Sequence, residues 1–221
     1  MRIELPSGTP AELARSESGA PVQGLVLLPD VGGLRPLFDE HCQRLAQQYD
    51  LIVCAPEPWP GYEDRDLPWR MANVGIIGDE ARMADIAAAA DATGLETVGV
   101  LGFCMGGMFA LKAAGTGRFN RAVSFYGLIR ARDESWKSDS WIEPLEAVAS
   151  PQACPVLELV GTADSFVPAD HIDALEATGA TVVRYEGADH GFAHDASRAT
   201  HRPDDAGDAW TRAMAFLNGD T

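Results

Sequence analysis

Thr97-Val98-Gly99-Val100-Leu101-Gly102-Phe103-Cys104-Met105-Gly106-Gly107-Met108 is the stretch that fixes the reading of the chain. An apolar run leads straight into Gly102 and a helix-like stretch from Met108 to Ala114 leads straight out, which predicts strand, sharp turn and helix with a thiol at the apex. A side chain on such a turn stands clear of both elements. Gly102 and Gly106, two positions either side of Cys104, let neighbouring backbone come close with no Cβ in the way. The amides just after Cys104 open a helix, where unpaired N–H groups and the helix dipole favour a thiolate and a nearby oxyanion. Taken alone, the stretch also fits a buried structural cysteine beside a glycine-rich turn of the kind any Rossmann-like fold contains.

The flanking segments extend the pattern. Val22 to Leu28 is a continuous apolar run suited to a strand buried on both faces, and it ends in the glycine-rich turn Pro29-Asp30-Val31-Gly32-Gly33-Leu34. A helix is predicted from Pro36 to Gln48, with Leu37, Phe38, Cys42, Leu45 and Ala46 at helical spacing. Leu51 to Ala55 reads as a second buried strand, closed by Pro56-Glu57-Pro58-Trp59-Pro60-Gly61. Tyr62 to Gly78 reads as an irregular pocket wall carrying Arg65, Trp69 and Arg70, before a helix that stops at Gly94. Further strands are expected at Arg121 to Tyr126, Cys154 to Val160 and Thr181 to Tyr185, and helices at Ile142 to Val148, Ala169 to Thr178 and Asp204 to Leu217. Near the N-terminus only Ile3-Glu4-Leu5 reads as a strand; Ala11 to Glu17 reads as polar and weakly patterned. Strands alternating with helices predict one α/β domain over residues 1–221, with a mostly parallel sheet whose ligands gather beyond the carboxyl ends of the strands.

A net charge of −16, with only Lys112 and Lys137 as lysines among 17 basic residues, argues against a nucleic-acid or anionic-membrane surface, which needs a positive face. No signal-like leader and no spanning apolar stretch are visible, so the expectation is a soluble, cytoplasmic protein, a monomer or small homo-oligomer. Cys42, Cys54 and Cys154 read as ordinary small hydrophobes in or beside apolar elements, with no CxxC pairing for zinc.

Cys104, Asp164 and His190 sit at three expected strand ends, in that order. An ordinary thiol is mostly protonated at neutral pH, so nucleophilic catalysis needs a base beside it and a group that fixes the base. The order nucleophile, acid, histidine is that of α/β-hydrolase triads. His194, four residues after His190 and near Asp189 and Asp195, leaves a metal-ligand reading open, against which Gly191 argues for a loop where that spacing means nothing. His41, His171 and His201 fall in helix-like or polar stretches and read as solvent-exposed.

Pro29-Asp30-Val31-Gly32-Gly33-Leu34, Ala55-Pro56, Gly102-Phe103-Cys104-Met105-Gly106-Gly107, Gly161-Thr162-Ala163-Asp164 through Val167-Pro168, and His190-Gly191-Phe192 together resemble the dienelactone hydrolase family, from about residue 22 to residue 217. The resemblance implies an α/β-hydrolase with helices on both faces of the sheet and no large cap domain. It implies a cofactor- and metal-free hydrolase of small carboxylic esters or lactones, with Cys104, Asp164 and His190 catalytic and the amides of Val31 and Met105 as oxyanion hole. Asp30, Phe103, Arg65, Trp69 and His194 are the implied substrate-binding residues. Two positions depart from the family pattern: Asp30 stands where dienelactone-cleaving members have glutamate, and His194 where they have a carboxylate-binding arginine. A second arginine of that pattern falls near Gly61, with Arg65 or Arg70 as stand-ins. A neutral histidine is a poor anion clamp, so a preference for carboxylate-bearing substrates is expected to be lost. The alternatives are a thioesterase, a catalytically silent binding protein of the same fold, and a phosphate-binding domain using the Gly32-Gly33 turn. No GxxxxGK[ST] supports the last.

Overall fold

The computed structural model describes every residue except Ser18, Asp133 and Thr221. Its first half runs β1 (Arg2–Glu4), β2 (Pro10–Arg15), β3 (Gln23–Leu28), α1 (Pro36–Tyr49), β4 (Leu51–Pro56), α2 (Leu67–Ala72) and α3 (Asp79–Ala92). The second half runs β5 (Val98–Phe103), α4 (Met105–Ala114), β6 (Arg121–Phe125), α5 (Pro144–Val148), β7 (Val156–Gly161), α6 (Ala169–Glu176), β8 (Thr181–Tyr185) and α7 (Pro203–Asn218). The strands form one sheet in the order β1-β2-β4-β3-β5-β6-β7-β8. It is parallel from β4 through β8 and antiparallel where β2 meets β4 and β1.

Period-two alternation on the central strands builds a core on each face. On β3, Val26 and Leu28 pack with Ile86 of α3 and Met108 of α4, whereas Leu25 and Leu27 pack with Phe38 and Leu45 of α1 and Met214 of α7. Every residue of α4 is buried, so this helix is covered on all sides and its N-terminus has a fixed position. The chain steps from β3 out to β4 and then back across β3 to β5, so the turns after β3 and β5 leave adjacent strands at the switch point where α/β sheets open a crevice.

Two segments differ from their sequence reading. Ala11 to Glu17 contributes most of β2, with Leu13 opposite Cys54 and Ala14 opposite Val53. Its pattern is broken by Glu12, whose buried carboxylate accepts from the N-terminal amine at 2.6 Å. Tyr62 to Gly78 holds α2, opened by the Asp66 side chain accepting from the Trp69 amide at 2.9 Å, and a 3-10 turn at Val74–Ile76. No helix among the described residues is long and apolar enough to cross a membrane.

Candidate active site

Cys104 closes β5 and precedes α4 with φ 55° and ψ −116°, a backbone conformation that L-residues rarely hold. Its amide donates to the Phe125 carbonyl at 3.0 Å, and its carbonyl accepts from the Met108 amide at 3.0 Å. Both flanking glycines are required. A Cβ on Gly102 would stand 2.1 Å from the Gly106 oxygen, and one on Gly106 would stand 2.2 Å from the Leu28 oxygen. Met105 is the first residue of α4, so its amide has no partner within the helix. The Val31 amide, in the turn after β3, donates to no protein acceptor among the described residues. Val31, Cys104 and His190 line one cleft of about 600 Å³.

The ends of β7 and β8 bring Asp164 and His190 to that cleft. His190 Nδ1 lies 2.8 Å from Asp164 Oδ2, while Asp164 Oδ1 accepts from the Phe166 amide at 2.8 Å. Burial works against a charge on the His190 ring, but the Cys104 sulfur and the Asp164 carboxylate outweigh it and push its pKa up to about 10. Cys104 lines the same cleft, and the buried Nε2 of His190 makes no hydrogen bond to the described residues. The ring is held between Phe166, at 4.7 Å between centroids, and the edge of Tyr126, at 5.2 Å. The other thiols lie elsewhere; burial pushes Cys54 up to about 12 and Cys154 up to about 11.

A second histidine–aspartate pair lies beside the first. Asp30 Oδ1 accepts from the Gly32 amide at 2.8 Å and from Arg35 Nη1 at 2.6 Å, and Oδ2 accepts from Arg35 Nη2 at 3.0 Å. His194 Nε2 lies 2.8 Å from the same Oδ2. Burial would raise the Asp30 pKa, but the hydrogen bonds from His194 and Arg35 reverse this and hold its carboxyl well below the usual range. A carboxylate only accepts, so His194 carries its proton on Nε2, and Nδ1 accepts from the Tyr126 hydroxyl at 2.6 Å. Burial pushes the His194 pKa below the ordinary histidine value despite Asp30. Tyr126, just past β6 at φ 44°, therefore touches both histidines.

The turn carrying Val31 is also gripped from its far side. Trp59 Nε1 donates to the Val31 carbonyl at 2.8 Å, and the Arg70 guanidinium donates to the Gly32 carbonyl. Glu57 accepts from the Leu34 and Trp59 amides at 2.9 and 2.8 Å. Of the five residues expected around the substrate, only Asp30 lines the cleft. Phe103 is buried under the elbow against Phe125 and Trp210. Arg65 and Trp69 pair with each other outside the cleft, the guanidinium 5.3 Å from the indole centre. His194 is buried and faces Asp30, because the turn through Gly191 (φ 78°) folds it back beneath His190. His41 is half-buried, its Nε2 2.8 Å from the His194 carbonyl, where solvent exposure was expected.

Sequence reasoning missed Arg35, Phe166 and Arg198 as cleft-lining residues and Tyr126 as their neighbour. Phe166 follows Asp164 so closely that the strand-end rule could have found it. Arg198 had no local signal. Its guanidinium lies over Gly191, where a Cβ would stand 2.8 Å from Cζ, and no carboxylate pairs with it among the described residues. Cleft-lining Asp189 and Asp195 are turned to local donors, the His190 amide at 2.7 Å and the Ser197 hydroxyl at 2.6 Å.

A thiol on a strained strand-to-helix turn, at the switch point of a mostly parallel sheet with helices on both faces and no large cap, defines an α/β-hydrolase. The sequence model of the dienelactone hydrolase family matches residues 10–220, and the chain belongs to that family. It is therefore a hydrolase acting on esters or lactones. A Bradyrhizobium sp. protein assigned as a 2-oxo-3-(5-oxofuran-2-ylidene)propanoate lactonase is 30% identical over 94% of this chain and 88% of its own. Rhodococcus opacus carboxymethylenebutenolidase is 26% identical over 87% and 79%. A crystal structure from Klebsiella pneumoniae subsp. pneumoniae MGH 78578, assigned as a dienelactone hydrolase, superposes with a TM-score of 0.84 at 27% identity, covering 99% of this chain and 97% of that one.

Proposed function

We propose that the hydrolase works through a Cys104 acyl-enzyme. The sulfur attacks the ester or lactone carbonyl, an S–C bond forms, and the carbonyl π pair moves onto oxygen between the Val31 and Met105 amides. His190 Nε2 holds the thiol proton and passes it to the departing alkoxide as the C–O bond breaks. The ring then takes a proton from water as that water attacks the thioester, and sulfur leaves with the proton returned. Asp164 keeps the ring in the required tautomer through Nδ1. The observation that carries this reading is the unpaired, buried Nε2 of His190 beside a cysteine on the elbow. Cys104→Ala should abolish turnover of an activated ester, and iodoacetamide should inactivate the native protein with label on Cys104; full activity in either case would reject the reading.

Arg198 supports a carboxylate-bearing substrate, against the expectation drawn from His194. Among the described residues no carboxylate pairs with this cleft arginine, whereas Arg35 is committed to Asp30. The Bradyrhizobium relative's named substrate is itself a propanoate. Arg198→Gln should raise KM for a carboxylate-bearing ester about tenfold or more and leave a neutral isostere unchanged, as expected for losing one charge-assisted contact of about 1.5–3 kcal/mol. Equal effects on the two esters would remove Arg198 from substrate recognition.

A further inference from the structure

We infer that Asp30 and His194 are positioning residues that tie the Val31 oxyanion turn to the His190 turn, and that Asp30 is not a base toward Cys104. The inference rests on the cysteine mechanism above. Asp30 makes four hydrogen bonds, to the Gly32 amide, Arg35 twice and His194, which fill the acceptor sites a carboxylate offers. Nothing is left on it for a thiol proton.

The connection is geometric. Asp30, Val31 and Gly32 share one turn at the end of β3, while His190 and His194 share another after β8. The two turns are 164 residues apart in sequence and joined at 2.8 Å by the His194–Asp30 contact. The Asp30 bond to the Gly32 amide folds the turn, so whatever orients Asp30 also orients the neighbouring Val31 amide. The Val31 and Gly32 carbonyls are held from the other side by Trp59 and Arg70. His194 cannot swivel, because Tyr126 holds its other nitrogen and its ring stacks on Phe103 at 5.0 Å. An oxyanion donor must already be in place when charge develops, so slackness here costs rate more than substrate affinity.

The test exploits which ring nitrogen each amide side chain imitates. Glutamine at 194 places an N–H near the Nε2 position and can still reach Asp30; asparagine places its amide near Nδ1 and cannot. His194→Gln should therefore keep kcat within about fivefold of wild type. His194→Asn should lose about 10–10²-fold in kcat at little change in KM, somewhat less than outright removal of an oxyanion donor. Asp30→Asn should lose a similar amount, while the pH midpoint of Cys104 alkylation by iodoacetamide stays where it is in wild type. Equal kcat for the His194→Gln and His194→Asn variants would overturn the positioning role. An alkylation midpoint moved in Asp30→Asn toward the ordinary thiol value of about 8.5 would make Asp30 the thiol's base instead. Alkylation reads the sulfur directly, so it also reports on a variant too slow to assay. Both results are distinct from failure of the cysteine mechanism, in which Cys104→Ala would remain active.

Discussion

His190–Asp164 and His194–Asp30 are built from the same two residue types at the same 2.8 Å separation, on adjoining turns, yet they are opposites. In the first, the ring gives one nitrogen to the carboxylate and leaves the other unpaired beside sulfur; its pKa is raised. In the second, both nitrogens are occupied, by Asp30 and by Tyr126, the carboxylate is shared with Arg35, and the ring's pKa is lowered. On the mechanism proposed above, a histidine–aspartate pair serves as a proton carrier or as a strut according to what its far nitrogen meets. The carboxylate alone does not decide it.

The sharpest way to break the contrast is to put glutamine in each ring. His190→Gln should drop kcat about 10⁴-fold or more, the scale of losing a triad base, whereas His194→Gln should stay within about fivefold. Comparable losses would show that the two rings do the same work.

The pairs should also fail at opposite ends of the pH scale. His190 has a folded pKa of about 10, above its unfolded value near 6.5, so its contribution to stability is complete below pH 6.5 and is lost as pH rises toward 10. His194 is depressed, so its contribution is complete above 6.5 and is lost as pH falls below that value. Thermal melts across pH should lose part of their alkaline slope in His190→Gln and part of their acid slope in His194→Gln. In a chain of 221 residues, each 1 kcal/mol shifts Tm by about 2–4 °C. Slopes that change on the other limbs would reverse the two protonation states.

The smallest effect should come from Tyr126→Phe, which removes the hydroxyl and keeps the ring against His190. It leaves His194 Nδ1 buried without a donor, at a cost of about 1–3 kcal/mol in stability by denaturant titration. The kcat loss should be about two- to fivefold, below that of His194→Asn. A larger loss in kcat than in stability would mean that the hydroxyl acts on His190 and not through His194.

Much of the fold and the candidate triad was legible because both are written locally. The elbow fits within six residues, and Cys104, Asp164 and His190 each follow an apolar strand-like run. β2 was missed because buried Glu12 breaks its pattern and meets its partners, the Met1 amine and the Arg2 guanidinium, only once β1 is laid beside it. The Asp30–His194 pair was illegible for the same kind of reason. Its members are 164 residues apart, and His194, read as a residue facing substrate, is turned inward by a backbone reversal at Gly191. Arg35, at the entry to α1, gives no sign in sequence that its guanidinium reaches back to Asp30. Arg198 escaped because a charged residue on an exposed turn looks the same whether or not a cleft lies beneath it.

Cys104 and Tyr126 leave neighbouring strands with positive φ, and neither is glycine. Residues held this way cost roughly 1–3 kcal/mol each. Directed evolution for heat resistance alone would accordingly be drawn to Cys104, where glycine relaxes the chain and removes little packing, and not to Tyr126, whose fully buried ring is worth more than the strain. Thermotolerant clones recovered from such a selection should include folded proteins that have given up turnover, and any campaign on this scaffold has to screen for both properties at once.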